Sequence, residues 1–393
     1  MRIAHRPGST GRAAAVTAPR LAILGPALPD RGGIARETSL LARALAADGP
    51  VSYFTFSRPY PRWLDPRRFA DFSEAGPSPA VPILDWRSPV SWRRTARAVA
   101  DSGASALVVP WWVAFWGLPV RAVLRRLARL RPGTARVLIC HNVDDHEATA
   151  LHRFLALGAF LSADGFFVHS DDARRRLEKL VPGRPVAVHP LPAAESAAPS
   201  RADARRRLSV TGPLVLFLGL VRQYKGADVL LAAAPRIARE TGARVAIVGE
   251  SFPDAADLEK RLAAAAARGE ILRRDSYVPE AEMDDWLAAC DVLVLPYRKI
   301  SGSAIAARAL AARRPMAAAR VGSLAETVVP GETGELFESG DAAGLASAVA
   351  TILARGADAY AEGLSRAAGR ASWEGYARAL RALAAAISRD SDT

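Results

Sequence analysis

The sequence predicts an α/β protein of two Rossmann-like domains whose parallel sheets face each other across a cleft. Three observations lead there. Short β-rich runs alternate with amphipathic helical runs along most of the chain, which is the pattern of parallel α/β layers. At 393 residues the chain is long for one typical core and suits two. The alternation fades once, at 193–204 (AAESAAPSRADA), a linker-like composition between two series of similar size. Two such halves leave a ligand cleft between them.

In the first series, strands are expected at Arg20–Gly25, Val51–Phe56, Ala106–Trp112, Arg136–Asn142, Gly165–Ser170 and Pro185–Pro190. Helices are expected at Ile34–Ala47, Val90–Ala100, Leu118–Leu130, Ala148–Leu161 and Asp171–Leu180. In the second, strands are expected at Leu214–Leu218, Arg244–Gly249, Ile271–Val278, Asp291–Pro296 and Pro315–Arg320. Its helices are expected at Ala227–Glu240, Asp257–Arg268, Ala281–Cys290, Gly302–Arg313 and Asp341–Leu353, with a last run at Trp373–Ile387.

Composition narrows the function classes. Half of the residues are hydrophobic, a globular and not a disordered balance. No uncharged apolar run reaches the ~18 residues of a transmembrane helix. Residues 1–20 hold four arginines and no acid. Their apolar run Ala13–Val16 is too short for a secretory leader, so a disordered tail is expected. Two cysteines, Cys140 and Cys290, give neither a disulfide framework nor a zinc cluster and fit a reducing, cytoplasmic setting. The net charge of +13 suits anionic partners. It is also the arginine excess of an Ala- and Arg-rich composition. The basic amphipathic run Val120–Arg131 suits peripheral contact with an anionic membrane face, or is a solvated helix. No aromatic-interleaved basic motif points to nucleic acid.

The strongest local signal is an apolar strand followed by GLVRQYKG, residues 219–226, and then a helix. This turn falls at the carboxyl end of a strand, where open parallel sheets bind ligands. A helix N-terminus adds unpaired N–H groups and partial positive charge. Arg222 and Lys225, three apart, suit a diphosphate. The GxxxxGK[ST] loop is absent, and the first strand leads into GPALPDRGGIA without GxGxxG, which weakens kinase and dehydrogenase readings.

The ordered set of motifs resembles a GT-B glycosyltransferase of the large family four. In particular it resembles the bacterial branch with an FGxxRxYKG donor turn and without a pair of glutamates. The motifs are GPALPDRGGIARETSLLARAL, VVPWWVAFW, CHNVDDHE, FVHSDDARRRL, FLGLVRQYKGADVLL, RVAIVGES, SYVPEAEM, DVLVLPYR, RPMAAARVGSLAETV and GETGELF. The resemblance implies retaining transfer of a sugar from a nucleoside diphosphate sugar to a hydroxyl acceptor, with no required metal or other cofactor. The acceptor class it leaves open is a glycan, a lipid-linked molecule or a small molecule. It implies an N-terminal domain at 21–195, a nucleotide-sugar domain at 196–365 and a crossing helix at 366–388, matched by SWEGYARAL. The single Asp-x-Asp, Asp390-Ser391-Asp392, sits in a polar tail and is not read as a metal site.

Residue by residue, Arg222 and Lys225 match the diphosphate-binding pair, and Gly219 opens their turn. Gly32 and Gly33 match the N-domain glycine loop near the donor. His141 matches a cleft histidine near the transferred sugar, flanked by Asn142. Val278 and Pro279 match the loop beside the donor base. Trp111, Trp112 and Trp116 are acceptor candidates or core residues, and Glu147 is an acceptor candidate or a surface carboxylate. His169 and His189 are read as structural. The two glutamates of many relatives fall here on Ile300 and Arg308, and Ser301-Gly302-Ser303 offers N–H groups and a hydroxyl instead. Arg308 cannot accept from a ribose; it reaches a phosphate or points to solvent. Two other readings stay open: a non-catalytic GT-B relative that binds a nucleotide or partner, and a sugar-nucleotide epimerase.

Overall fold

The computed structural model describes residues 18–28, 30, 33–60, 79–143, 149–192 and 199–390. All but the last three residues of the expected tail, the centre of the linker, Gly32, Glu147 and the end of the Asp-x-Asp lie outside them. The first domain runs β1 (Leu21–Leu24), α1 (Gly33–Asp48), β2 (Val51–Arg58), β3 (Val81–Asp85), α2 (Pro89–Asp101), β4 (Ala106–Trp111), α3 (Gly117–Leu130), β5 (Ala135–Cys140), α4 (Ala150–Phe160), β6 (Gly165–Val168), α5 (Asp171–Leu180) and β7 (Val186–Val188). The second runs α6 (Arg201–Leu208), β8 (Leu214–Leu218), α7 (Ala227–Thr241), β9 (Arg244–Val248), α8 (Ala256–Ala267), β10 (Leu272–Arg274), α9 (Glu280–Ala289), β11 (Val292–Leu295), α10 (Ala304–Ala311), β12 (Met316–Ala319), α11 (Leu324–Thr327), β13 (Gly334–Phe337), α12 (Ala342–Arg355), α13 (Ala361–Arg370) and α14 (Trp373–Asp390).

Both sheets are parallel throughout. The first has seven strands in the order β3-β2-β1-β4-β5-β6-β7 and the second six in the order β10-β9-β8-β11-β12-β13. Helices cover both faces, so the central strands are apolar at every position instead of alternating. All of LVLFL in β8 and all of VLVL in β11 are buried. In each sheet the order reverses beside its first strand, between β1 and β4 and between β8 and β11. A crevice opens at such a reversal, beyond the carboxyl ends of the strands.

Five elements depart from the sequence expectation, among them the single-turn α11, which no periodicity announced. β3 and β13 are edge strands that the apolar runs did not announce. α6 forms where a linker was expected, because Ser200 caps it and Arg201 and Arg205 pair with Asp291 at the start of β11. α13 adds a further helix before the last one. Trp111 is the end of β4, the fourth strand and not the third.

The final helix, α14, belongs to the core of the first domain. Its buried stripe Tyr376, Ala377, Leu380, Leu383, Ala384 and Ile387 joins the cluster of Leu21, Ile23, Val108, Val137, Ile139 and Phe167. The spacing is that of one helix face. Arg381 adds hydrogen bonds to the carbonyls of Pro19 and Leu45 at 2.9 and 2.8 Å. The chain therefore leaves the first domain, builds the second and returns to complete the first.

Candidate functional site

The turn after β8 is built to approach something closely. Gly219 has φ +115° and Gly226 has φ +68°, conformations that favour glycine. A Cβ at Gly226 would overlap the Pro296 carbonyl oxygen. Between them, Gln223–Lys225 form one 3₁₀ turn before α7. The segment after β11 braces this turn. Arg298 N–H donates to the Tyr224 carbonyl at 2.8 Å, and its guanidinium donates to the Gln223 carbonyl at 2.9 Å. The same guanidinium grips Asp228 of α7 through two hydrogen bonds of 2.9 and 2.6 Å, which holds that carboxyl below its usual pKa.

Arg222 lies over the rings of Phe252 and Tyr224, at 5.0 and 5.6 Å from the centroids, with Nε 3.3 Å from Asp254. Lys225 turns inward: its ammonium lies 5.4 Å from the centroid of buried Tyr297 and 3.6 Å from the position a Cβ on Gly219 would take. Among the described residues no carboxylate pairs with it. Burial, and then the charge of Arg222, push its pKa down to about 8. A cleft of about 600 Å³ opens on the outer flank of the turn, lined by Tyr224, Asp228, Asp254, Asp257, Arg261 and Arg298. Its three carboxylates offset its arginines, and neither Gly219 nor Lys225 lines it.

The remaining donor-side candidates gather at neighbouring strand ends. Gly33 opens α1, and no atom of the described residues lies within 4 Å of a would-be Cβ there. Val278 is buried, and exposed Pro279 stands at the N-cap of α9. Ser301 is buried. The Ser303 hydroxyl accepts from the Ala306 N–H at 3.2 Å and caps α10, so its acceptor capacity is partly used inside the fold. Gly302 faces the first domain: a Cβ there would lie 3.8 Å from His169 Cδ2.

On that opposite wall the structure assembles more than the sequence announced. His141 follows β5, and its ring lies 4.9 Å from that of His169, centroid to centroid. His169, read as structural, is buried, with Nδ1 3.4 Å from the His189 carbonyl oxygen and Nε2 without a hydrogen-bond partner among the described residues. His189 packs edge-on against Tyr376 of α14, whose ring also stacks on His169 at 5.9 Å. Burial, and then the neighbouring His169, keep His141 well below the ordinary histidine pKa; burial above all takes His169 to about 4. Glu37 of α1 completes the group, its Oε2 3.4 Å from His141 Nδ1. Burial raises the Glu37 carboxyl to about 8, with Arg36 opposing. The group is therefore neutral near pH 7. Glu37 was missed although it lies on the stripe of Ile34, Thr38, Leu41 and Leu45; a carboxylate at a core-facing helix position was the available signal.

Three expectations are corrected. Trp111 and Trp116 are 3% and 1% exposed and are core residues, not acceptor contacts. Trp111 packs edge-on against Phe160, and Trp116 stacks on Phe56. Trp112 alone is half-buried, with Nε1 donating to the Tyr60 hydroxyl at 2.9 Å; its carbonyl accepts from the Asn142 side chain. Arg308 neither reaches a phosphate position nor faces solvent. It is 7% exposed and bound to α9, with Nη2 2.6 Å from Asp284 and Nη1 3.8 Å from Glu280. Glu280 also takes Arg36 of α1 at 2.8 Å, so one carboxylate joins the domains through two arginines. On the far side Glu326 accepts from the Asp171 and Asp172 N–H groups at 2.8 and 2.9 Å, capping α5 of the other domain. Ile300 packs partly buried against the core of the second domain.

This architecture is the GT-B fold. Sucrose-phosphate synthase from Thermosynechococcus elongatus superposes with a TM-score of 0.69 at 21% identity, over 92% of this chain and 97% of that one. The Anabaena protein HepE, solved in complex with UDP and glucose, superposes with a TM-score of 0.70 at 15% identity, over 92% and 98%. Residues 212–355, within the second domain, match the family model described as "Glycosyl transferases group 1". Similar curated proteins are D-inositol 3-phosphate glycosyltransferase 2 of Catenulispora acidiphila, 31% identical over 61% of this chain and 58% of that protein, and the D-inositol 3-phosphate glycosyltransferase of Streptosporangium roseum, 29% identical over 67% and 63%. The chain thus aligns with about three fifths of the length of these two relatives.

Two outcomes are expected. Arg308→Ala strands Asp284 in a half-buried setting and lowers stability by about 3 kcal/mol in urea unfolding, while nucleotide binding by the folded fraction stays unchanged. Weakened nucleotide binding with unaltered stability would contradict this placement. For Glu37, the folded carboxyl holds its proton to about 8 and the unfolded one only to the ordinary 4.5. Folding therefore takes up a proton in that window, and stability falls as pH rises from 4.5 through 8. Glu37→Gln removes this slope, so its melting temperature gains on that of the original protein across the window. Parallel melting curves would refute the assignment.

Proposed function

We propose that this chain is a retaining glycosyltransferase that moves a sugar from a nucleoside diphosphate sugar to a hydroxyl acceptor. The observation that carries the reading is the turn 219–226. Arg222 and Lys225 are held together at the reversal of strand order, and Lys225 has no anionic partner among the described residues. Burial first, and then the nearby charge of Arg222, lowers the Lys225 pKa to about 8. A diphosphate supplies the missing anion. As the bond from sugar to diphosphate breaks, negative charge grows on the leaving group, and fixed cations stabilise that state more than the ground state. Two cations here perform the neutralisation that other sites assign to a divalent ion, which supports transfer without a metal. Retention rests on the family resemblance.

In this reading Gly33 and Gly219 let backbone approach the donor, and Ser301, Gly302 and Ser303 border its sugar. Val278 and Pro279 border the base. Neutral His141, oriented by Glu37, hydrogen-bonds a sugar hydroxyl instead of supplying charge. Gly32 and Glu147 keep their proposed donor and acceptor roles, and of the three tryptophans after the strand Trp112 is the one left open to an acceptor. The match to the group 1 glycosyltransferase model and the neighbour solved with UDP support a nucleotide-sugar donor.

One observation favours a second reading, a nucleotide-binding relative without turnover. Ile300 and Arg308 stand where the resemblance places two donor-contacting glutamates, and Arg308 is committed to Asp284.

Turnover assays with a panel of nucleoside diphosphate sugars and hydroxyl acceptors separate the two readings. The expected result is transfer by the original protein and a loss of about 3 kcal/mol of transition-state stabilisation, roughly a hundredfold in kcat/KM, on Arg222→Ala or Lys225→Ala. Nucleoside diphosphate binding also weakens above pH 8, where free Lys225 loses its proton, and Lys225→Ala abolishes that step. Binding without transfer across the panel would establish the second reading; indifference of both substitutions would overturn both.

A further inference from the structure

Sequence periodicity singled out 120–131 as a basic amphipathic run. In the fold its apolar stripe is used: Val120, Val123, Leu124 and Leu127 of α3 are buried, while Arg125, Arg126 and Arg129 face solvent. The unpartnered apolar surface lies instead on the next helix. On α4 and its C-cap, Leu151, Phe154 and Leu161 are 62%, 65% and 60% exposed, and Leu157 and Leu118 are exposed as well. Positions 151, 154, 157 and 161 fall within about a third of the helix circumference, so they form one row.

The basic and apolar surfaces adjoin. The Gly117 backbone sits against Leu155, and the Arg121 side chain lies over Gly158. Five arginines, at 121, 125, 126, 129 and 153, lie on the two helices, and neither helix contains an Asp or Glu. Monomeric proteins rarely leave a contiguous apolar row open to water. A second copy on this face would bring two acid-free arginine clusters together. A surface of lipid phosphates neutralises them and gives the leucines and phenylalanine an apolar phase.

We propose that α3 and α4 form a docking face for an anionic lipid surface, with Leu151, Phe154, Leu157 and Leu161 entering the acyl boundary and the arginines meeting lipid phosphates. No helix among the described residues is long and apolar enough to cross a membrane, so the attachment is peripheral. α4 connects β5 to β6, whose ends carry His141 and His169, and its first turns start on the cleft side of the sheet. Docking therefore sets the cleft beside the lipid. That last consequence rests on the proposed transfer reaction; lipid binding does not.

The test is co-sedimentation of the full chain with vesicles of phosphatidylcholine, alone or mixed with phosphatidylglycerol, with sedimentation velocity in parallel. Binding is expected only to the mixed vesicles, and weaker as salt rises. Leu151→Ser/Phe154→Ser and, separately, Arg125→Gln/Arg126→Gln/Arg129→Gln are each expected to weaken it roughly tenfold or more. Circular dichroism melting and nucleoside diphosphate binding, unchanged in both variants, show that the fold and the turn at 219–226 are intact. Absence of binding, equal binding to uncharged vesicles, or indifference to both variants would overturn the proposal. A dimer in solution that Leu151→Ser/Phe154→Ser dissolves would also overturn it, by making this face a contact between copies.

Discussion

Two cations stand within one turn of chain at the carboxyl end of β8, and Lys225 is left without a counter-ion among the described residues. Burying an ammonium beside a guanidinium is costly, and the Lys225 pKa of about 8 expresses that cost. Much of the second domain works to keep it so. Gly219 and Gly226 take left-handed backbone, the Pro296 carbonyl packs against Gly226, and Arg298 ties the turn to α7 through Asp228. Arg222 is fixed from the other side by Phe252, Tyr224 and Asp254. A preorganised cationic pair needs no rearrangement when negative charge develops nearby, which is what makes such a pair effective in group transfer.

The first domain answers with neutral groups. His141, His169 and Glu37 are buried together, each pushed toward its uncharged form. The walls thus differ in charge, cationic on one side and neutral on the other; in the proposed reaction the first meets phosphate and the second hydrogen-bonds the sugar. The walls are held in register by Gly302 against His169, by Glu280 between Arg36 and Arg308, and by Glu326 capping α5. α14 carries the chain back, so any relative motion of the domains is tethered at two crossings.

The fold class was legible because its signals are local: strand-length apolar runs, helical periodicity between them and one break in composition. The turn at 219–226 was legible for the same reason, since glycines and cations sit beside an unmistakable strand. What escaped depended on partners distant in the chain. Arg308 could not be placed without Asp284, 24 positions away on another helix. Trp111 and Trp116 read equally well as exposed or packed until Phe160 and Phe56 supplied their neighbours. Edge strands β3 and β13 are short, and VPILD carries a proline that argues against a strand. Glu37 lay on the core-facing stripe of α1, but what it faced was hidden until β5 brought His141 against it.

The most direct measurement is a crystal structure of the chain with a nucleoside diphosphate bound. The account predicts the diphosphate at the carboxyl end of β8, with its oxygens within hydrogen-bond reach of Lys225 Nζ and the Arg222 guanidinium, and Arg308 still bound to Asp284. A diphosphate seated in the outer cleft beside Arg261, or one that draws Arg308 away from Asp284 while Lys225 stays unengaged, would contradict it.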